Sequence, residues 1–163
     1  ASPEPHEKAR HYLWRFWTRL PKTGHIAIFD RTWYGRVMVE RLEGFCSEND
    51  WMRAYNEINE FEKELQDWGA VLIKFWVQID KETQLARFTD RQNTPEKQWK
   101  ITDEDWRNRD KWDQYETAVN EMIQKTSTVY APWHILESTD KKYARIKALR
   151  IVVEELEKVL GCS

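Results

Sequence analysis

The run AVLIKFWVQI, from Ala70 to Ile79, most restricts how this chain can fold, because it is almost continuously apolar and rich in β-branched and aromatic residues. Such a run is typical of a parallel strand that helices cover on both faces. Shorter apolar runs at 26–29 and 133–136 predict two more strands, and the segments between them show helical periodicity. Strands that alternate with helices predict an α/β fold with a parallel sheet and helices on both faces. The length of 163 residues fits a single domain.

Local signals predict where two long helices begin and end. Ser47 and Asp50 form a capping-box pattern, and Gly69 is a natural C-terminal stop. The helix between them is expected to bury a stripe formed by Trp51, Tyr55, Ile58, Phe61, Leu65 and Trp68. The last helix is predicted to begin at Ser138 or Thr139. Its inward stripe is expected to contain Tyr143, Ile146, Leu149, Val153, Leu156 and Leu160.

The predicted strand 26–29 ends on a carboxylate, Asp30, which two arginines follow closely, Arg31 and Arg36. A carboxylate at the end of a buried strand is well placed to hold a hydrated Mg²⁺ ion, as in phosphate-transfer enzymes. The guanidinium groups could neutralise phosphate oxygens, whose geometry they match. The same pattern also fits a strand that ends in a turn, with Asp30 and Arg31 as a surface pair.

The segment 87–101 carries Arg87, Arg91, Lys97 and Lys100 and has little apolar periodicity. It could be a mobile basic lid that closes over phosphates. The alternative is a solvated segment without a ligand.

Arg107 and Arg109 follow this basic segment, on the first turns of a predicted helix. Positive charge is disfavoured there by the helix dipole. This cost makes the two arginines candidates for phosphate contacts, although Asp103, Glu104 and Asp110 could simply pair with them.

Composition argues against several classes of function, although a local basic groove and nucleic-acid binding stay open as weaker alternatives. A net charge of −2 argues against a polyanion-binding surface over the whole molecule, and the aromatic residues lie on core-like helical stripes rather than in a nucleic-acid groove. None of the four histidines has metal-ligand spacing, so no zinc site is predicted. Two cysteines suggest no disulfide framework and therefore a reducing compartment. With no signal peptide and no long apolar segment, we expect a cytoplasmic protein without a membrane partner.

Several blocks together resemble the second family of polyphosphate kinases. They are FDRTWYGRVMVERLEGF, LWRFWTRLP, KFWVQIDKETQLARF, DWRNRDKWDQYE and TSTVYAPWHILESTDKKYARIKALR, and they extend over nearly the whole chain. The resemblance implies a P-loop kinase-like fold with a helical lid at about 87–111. It also implies phosphoryl transfer between inorganic polyphosphate and a nucleotide, with Mg²⁺ as cofactor and a homo-oligomeric assembly.

Carried over to this chain, the family pattern makes Asp30 the metal-linked Walker-B aspartate and makes Arg31 and Arg36 phosphate contacts. The basic residues of the lid would hold polyphosphate. The loop DRTWYGRVMVERLEGF, with Gly35 and Glu43, resembles the group that phosphorylates AMP to ADP. The alternatives are a kinase for nucleoside diphosphates and a non-catalytic half that binds polyphosphate or nucleotide.

One element of the family pattern does not occur in the sequence, namely the glycine-rich loop GxxxxGK. In the family this loop and its strand lie upstream of the part that matches this chain. The resemblance therefore implies that residues 1–163 are the C-terminal portion of one catalytic domain, whose P-loop strand lies between the 26–29 and 70–79 strands. Direct pairing of those two strands would contradict this expectation.

Overall fold

A computed structural model describes residues 3–161 of the chain, which divide between Ile58 and Asn59 into two compact units. The first unit contains α1 (Pro5–Lys8), α2 (Trp14–Trp17), a 3₁₀ helix (Trp33–Val37), α3 (Val39–Leu42) and the first half of α4 (Glu48–Asp67). The second unit contains the rest of α4, β1 (Lys74–Gln78), α5 (Lys81–Asn93), a 3₁₀ helix (Pro95–Lys100), α6 (Asp103–Asp110), α7 (Trp112–Thr126), β2 (Trp133–Glu137) and α8 (Lys141–Leu160).

The second unit confirms the parallel strand pairing that the sequence predicts. β1 and β2 run parallel, with Lys74 opposite Trp133 and Gln78 opposite Glu137. The helices α5, α6 and α7 lie between the two strands in the chain. Such a connection is required because parallel strands cannot be joined by a tight turn.

The strand predicted at 26–29 is wrong for the described residues. These residues belong to no helix or strand there, and Ile26 and Ile28 are 77% and 92% exposed. A strand forms only where its N–H and C=O groups find a neighbouring strand. Residues 26–29 do not pair with β1, and such pairing would have contradicted a P-loop strand between the two. The P-loop strand itself stays a prediction.

The N-terminus of α4 follows its sequence signal. The backbone N–H of Asp50 donates to Ser47 Oγ at 3.2 Å, and the Ser47 N–H donates to Asp50 Oδ2 at 3.1 Å, so the capping box is confirmed. Most of the predicted stripe is buried or half-buried. Trp68 is an exception at 61% exposed, since it lies past the last turn of α4. Gly69 ends the helix with a φ of +101°, which only glycine adopts easily.

The last helix starts later than expected and faces differently. Asp140 caps α8 by accepting from the N–H groups of Lys142 and Tyr143, so the predicted starts at Ser138 and Thr139 are wrong. Most of the stripe predicted to be buried is exposed: Tyr143, Ile146, Leu149, Val153 and Leu160. Ala144 is the α8 residue that is buried. Among residues 3–161, no helix combines the length and the apolarity needed to cross a membrane.

A buried ion pair lies in the core of the second unit. Lys74 Nζ of β1 contacts Glu62 Oε2 of α4 at 2.7 Å and donates to the Thr126 carbonyl at the end of α7, also at 2.7 Å. Glu62 is fully buried, and Lys74 is only 7% exposed. Burial lowers the pKa of Lys74, whereas the charge of Glu62 opposes that shift. The pair therefore connects α4, β1 and α7.

Candidate active site

The loop that carries Asp30 is closed by aromatic contacts. The rings of Phe29 and Trp33 lie 5.6 Å apart, and both pack edge-to-face on Phe16, at 6.3 and 5.6 Å. Such geometry is favourable for aromatic rings. Because the residues on either side are anchored in this way, the segment between them protrudes and leaves Asp30 and Arg31 exposed.

Arg31 has a φ of +64°, in the left-handed region that residues with a Cβ rarely adopt. The next residue, Thr32, is extended and caps the 3₁₀ helix by accepting from the Tyr34 N–H at 3.3 Å. Backbone strain of this kind persists only where the surrounding structure enforces it, and it is concentrated at functional sites.

Arg36, in contrast, is packed against the protein, with a side chain that is 17% exposed. Its Nη1 forms an ion pair with Glu40 Oε2 at 3.0 Å, and its guanidinium lies 4.4 Å from the centre of the Tyr12 ring. The Cys46 thiol contacts the Arg36 carbonyl oxygen at 3.8 Å. Burial raises the pKa of the Cys46 thiol, which keeps it protonated. Asp30, Arg31 and Arg36 thus share one loop and its 3₁₀ helix.

Three of the predicted lid cations are already bound to protein oxygens. Arg87 Nη2 donates to the carbonyls of Ser138 and Thr139 at 2.5 and 3.3 Å. Arg109 Nη1 donates to the Lys81 carbonyl at 2.6 Å. The Lys97 ammonium pairs with Asp90, at 2.8 Å, and lowers the pKa of that carboxyl. These contacts stabilise α5 and its neighbours, and a phosphate would have to compete with them.

The other three predicted cations have no such acceptor. Arg91 lies 6.0 Å from the Phe88 ring and Lys100 lies 5.1 Å from the Trp99 ring, which are cation–π contacts. Arg107 is exposed and forms no ion pair within residues 3–161. The predicted alternative, that Arg107 pairs with the acidic residues of α6, is therefore wrong.

The segment 87–111, predicted to be a lid, is mostly helical, and its role as a lid stays a prediction. It comprises the end of α5, the second 3₁₀ helix and α6, and the capping box between Thr102 and Asp105 opens α6. No contact among the described residues joins its six cations into one cradle. The sequence prediction named these cations from their charge, the helix dipole and the resemblance, none of which separates the cations that have a protein acceptor from those that do not.

Two neighbours of Arg36 escaped the sequence prediction. Glu40 lies one helical turn after Arg36, at the i,i+4 spacing at which opposite charges meet, so this contact had a local signal. Tyr12 had none, because its contact with Arg36 depends on tertiary structure.

A metal ion at this site would depend on few protein ligands. No group of three or more His, Cys, Asp or Glu side chains within residues 3–161 could hold a metal. Mg²⁺ is usually bound through one or two carboxylates together with substrate phosphates and water. A single exposed carboxylate such as Asp30, which forms no ion pair with the described residues, fits that mode of binding.

Comparison with known proteins identifies the family. The family model for polyphosphate kinase 2 (PPK2) matches residues 1–160. A crystal structure of a polyphosphate kinase 2 from Pseudomonas aeruginosa is similar to the whole of this chain, with a TM-score of 0.96 and 53% identity, and the match covers 35% of that chain. The protein therefore belongs to the polyphosphate kinase 2 family. Its parallel strands and helices are part of that P-loop-like kinase fold.

Individual relatives differ in how similar they are. A protein of Acinetobacter johnsonii named polyphosphate:AMP phosphotransferase is 57% identical over 157 residues, which is 96% of this chain and 33% of the relative. A GDP-polyphosphate phosphotransferase of Mycolicibacterium smegmatis is 39% identical over 155 residues, which is 95% of this chain and 55% of the relative. The chain spans about a third of the length of the curated relatives named polyphosphate:AMP phosphotransferase.

Proposed function

We propose that the protein transfers a phosphoryl group from inorganic polyphosphate to AMP and so forms ADP. The observation that carries this proposal is the difference in identity between the two groups of relatives. Identity is 55–57% to the relatives named polyphosphate:AMP phosphotransferase, but 39% to the GDP-polyphosphate phosphotransferase of M. smegmatis. The exposed Asp30–Arg31 loop gives this chain a surface of the required chemistry.

In this proposal Asp30 is the Walker-B aspartate, which would hold Mg²⁺. The ion, when bound, would supply positive charge that neutralises phosphate oxygens. Arg31 and Arg36 bind phosphate oxygens through their guanidinium forks. Positioning and electrostatic stabilisation supply most of the catalysis in such transfers, so no residue of the chain has to form a covalent intermediate.

The helical segment 87–111 acts in the proposal as a lid that holds polyphosphate. Arg91, Lys100 and Arg107 can bind phosphate without giving up a protein acceptor. Arg87, Lys97 and Arg109 would first have to release theirs, so we expect weaker effects from their loss on polyphosphate binding and larger effects on stability. The assembly is a cytoplasmic homo-oligomer that needs neither nucleic acid nor a membrane.

The test is an assay of the protein expressed from its complete gene, with polyphosphate as donor and AMP, ADP or GDP as acceptor. We expect ADP to form from AMP and little product from the diphosphates. Faster turnover with GDP would favour the diphosphate kinase, and binding of polyphosphate without any product would favour the non-catalytic alternative.

The same assay tests Asp30. Asp30→Asn removes the charge and keeps the shape, so activity should fall by a factor of 10³ or more, on the order of 4 kcal/mol of transition-state stabilisation. Asp67→Asn, at an exposed carboxylate paired with Lys63 in α4, is the matched control and should leave turnover unchanged. Normal turnover of the Asp30 variant would contradict its metal role.

A further inference from the structure

The side chain of Arg36 is fixed by contacts on two sides. The Tyr12 ring lies against its guanidinium, at 4.4 Å from ring centre to Cζ, and Glu40 holds Nη1 at 3.0 Å. The Nε–H group of Arg36 is buried and has no acceptor among the described residues. The ion pair with Glu40 uses Nη1, so the Nη2 donors of Arg36 are left for an anion while the stacking and the ion pair hold the guanidinium in one orientation.

Tyr12 is in turn held by the first unit. It is half-buried, and its ring lies 4.8 Å from the ring of His11. Burial and the negative charge of Glu57 raise the pKa of its phenol, so Tyr12 is neutral at all physiological pH values. Glu57 is itself fixed on α4, where it forms an ion pair with Arg53 at 2.7 Å. The Tyr12 ring is thus a rigid, uncharged surface under the Arg36 guanidinium.

We propose that Tyr12 is a positioning residue for the phosphoryl transfer: its ring, together with Glu40, holds the Arg36 guanidinium in the orientation that binds a substrate phosphate. This inference rests on the proposed function, because it concerns how Arg36 performs its part in it. A site residue has to be held to within a fraction of an ångström of its productive geometry, and packing by neighbouring side chains is how proteins achieve this.

The test is a double-mutant cycle on kcat/KM for AMP and polyphosphate, measured on the protein expressed from its complete gene. The variants are Tyr12→Met, Arg36→Ala and the two combined. If Tyr12 acts through Arg36, Tyr12→Met should lower kcat/KM about tenfold in the wild-type background and less than twofold in the Arg36→Ala background. A residue that only stabilises the fold would lower kcat/KM by the same factor in both backgrounds.

Three further variants separate the ring from the hydroxyl group and guard against misfolding. Tyr12→Phe keeps the ring and should retain kcat/KM within twofold. Glu40→Gln removes the negative charge of the second contact, at a partly exposed position, and should couple to Arg36 in the same direction as Tyr12→Met. Trp14→Leu is the matched control, because it removes the same kind of stacking, at 4.6 Å, from Arg10, which has no part in the proposed site. Its effect should not depend on Arg36.

The outcomes are distinguishable. Additive effects of Tyr12→Met and Arg36→Ala, or a loss in Tyr12→Phe as large as in Tyr12→Met, would overturn the inference while the proposed function stands. Full activity of Arg36→Ala would overturn the inference, because it would show that Arg36 does not bind a substrate phosphate. Absence of polyphosphate-dependent ADP formation in the wild-type protein would overturn the proposed function and this inference together.

Discussion

At the scale of single residues, Arg31 is notable because its side chain and its backbone have different requirements. The proposed function needs a guanidinium, but a φ of +64° suits glycine. We therefore predict that Arg31→Gly gives a more stable protein than Arg31→Ala, by about 1 kcal/mol, because only alanine retains a Cβ in the left-handed region. Both variants should lose activity equally. Denaturant unfolding of the two proteins, with the AMP assay, measures both effects.

At an ordinary position the order of these two variants is reversed, since glycine has more freedom to lose on folding than alanine. A more stable Arg31→Ala protein would therefore show that residue 31 is not held in the left-handed conformation in solution. A difference in activity between the two variants would show that the backbone itself contributes to the site.

The buried ion pair leads to a second prediction at this scale. Lys74→Met leaves the carboxylate of Glu62 buried without its cation, so the free energy of unfolding should fall by about 3 kcal/mol or more. Lys74→Met combined with Glu62→Leu should recover much of this loss, because the second change removes the stranded charge. Urea unfolding followed by circular dichroism measures both variants.

The control for this pair is Lys63→Met, in the same helix as Glu62. Lys63 pairs with Asp67 on the exposed side of α4, where ion pairs contribute little. We expect its unfolding midpoint to stay close to that of the wild-type protein. A loss in Lys63→Met similar to that in Lys74→Met would mean that the stem of the lysine, rather than its buried charge, is what matters.

At the scale of elements, the N-terminus of α4 should respond to acid. Hydrogen bonds from Ser47, with a further contribution from Arg53, lower the pKa of Asp50 from 3.8 to about 2. Because the pKa is lowered in the folded state, the cap stabilises the protein fully above pH 3.8 and loses this effect as the pH falls towards 2. The difference in melting temperature between wild type and Asp50→Asn should therefore be constant above pH 5 and shrink below about pH 4. A difference independent of pH would contradict this origin.

Elements also show which parts of the structure the sequence could predict. The ends of α4 and α6 were predictable because capping depends on residues a few positions apart, as with Ser47 and Asp50. β1 and β2 were predictable because their runs are mostly apolar, although both strands are only partly buried and Val77 of β1 is 57% exposed. The run 26–29 has the same composition, but a strand also needs a neighbour to pair with, and composition does not contain that information.

In the candidate site, too, local features were predictable from the sequence and tertiary contacts were not. Asp30, Arg31 and Arg36 could be named because they occur in one short stretch of sequence. Tyr12 lies far from them in the chain and has no charge that would mark it, so its contact with Arg36 required the structure. Likewise, the charges of the lid segment were visible in the sequence, but their partners Ser138, Lys81 and Asp90 were not.

At the scale of the whole molecule, exposed apolar surface is the feature with measurable consequences. On α8, Ile146, Leu149 and Val153 are 59%, 63% and 51% exposed. Contiguous apolar surface of this kind marks an interface or causes aggregation. Residues 1–163 expressed alone should therefore self-associate in sedimentation velocity, and Leu149→Glu should reduce that association. Arg150→Glu, which adds negative charge next to the stripe without removing an apolar side chain, should have a smaller effect. Equal effects of Leu149→Glu and Arg150→Glu on self-association would show that charge repulsion, and not loss of the apolar contact, reduces it.

The pairing of β1 with β2 also bears on how the chain folds during synthesis. Lys74 lies opposite Trp133 in the sheet, so no rung of this ladder can form until the ribosome has made the whole of α5, α6 and α7 as well as β2. At about 5–20 residues per second, β1 emerges several seconds before its partner. During that interval the Lys74 ammonium, buried against Glu62 and Thr126 in the finished protein, can remain hydrated. Lys74 then loses its hydrating water only when the Thr126 carbonyl and β2 have been synthesised and can pack against it. We therefore expect this part of the core to form late during synthesis of the chain.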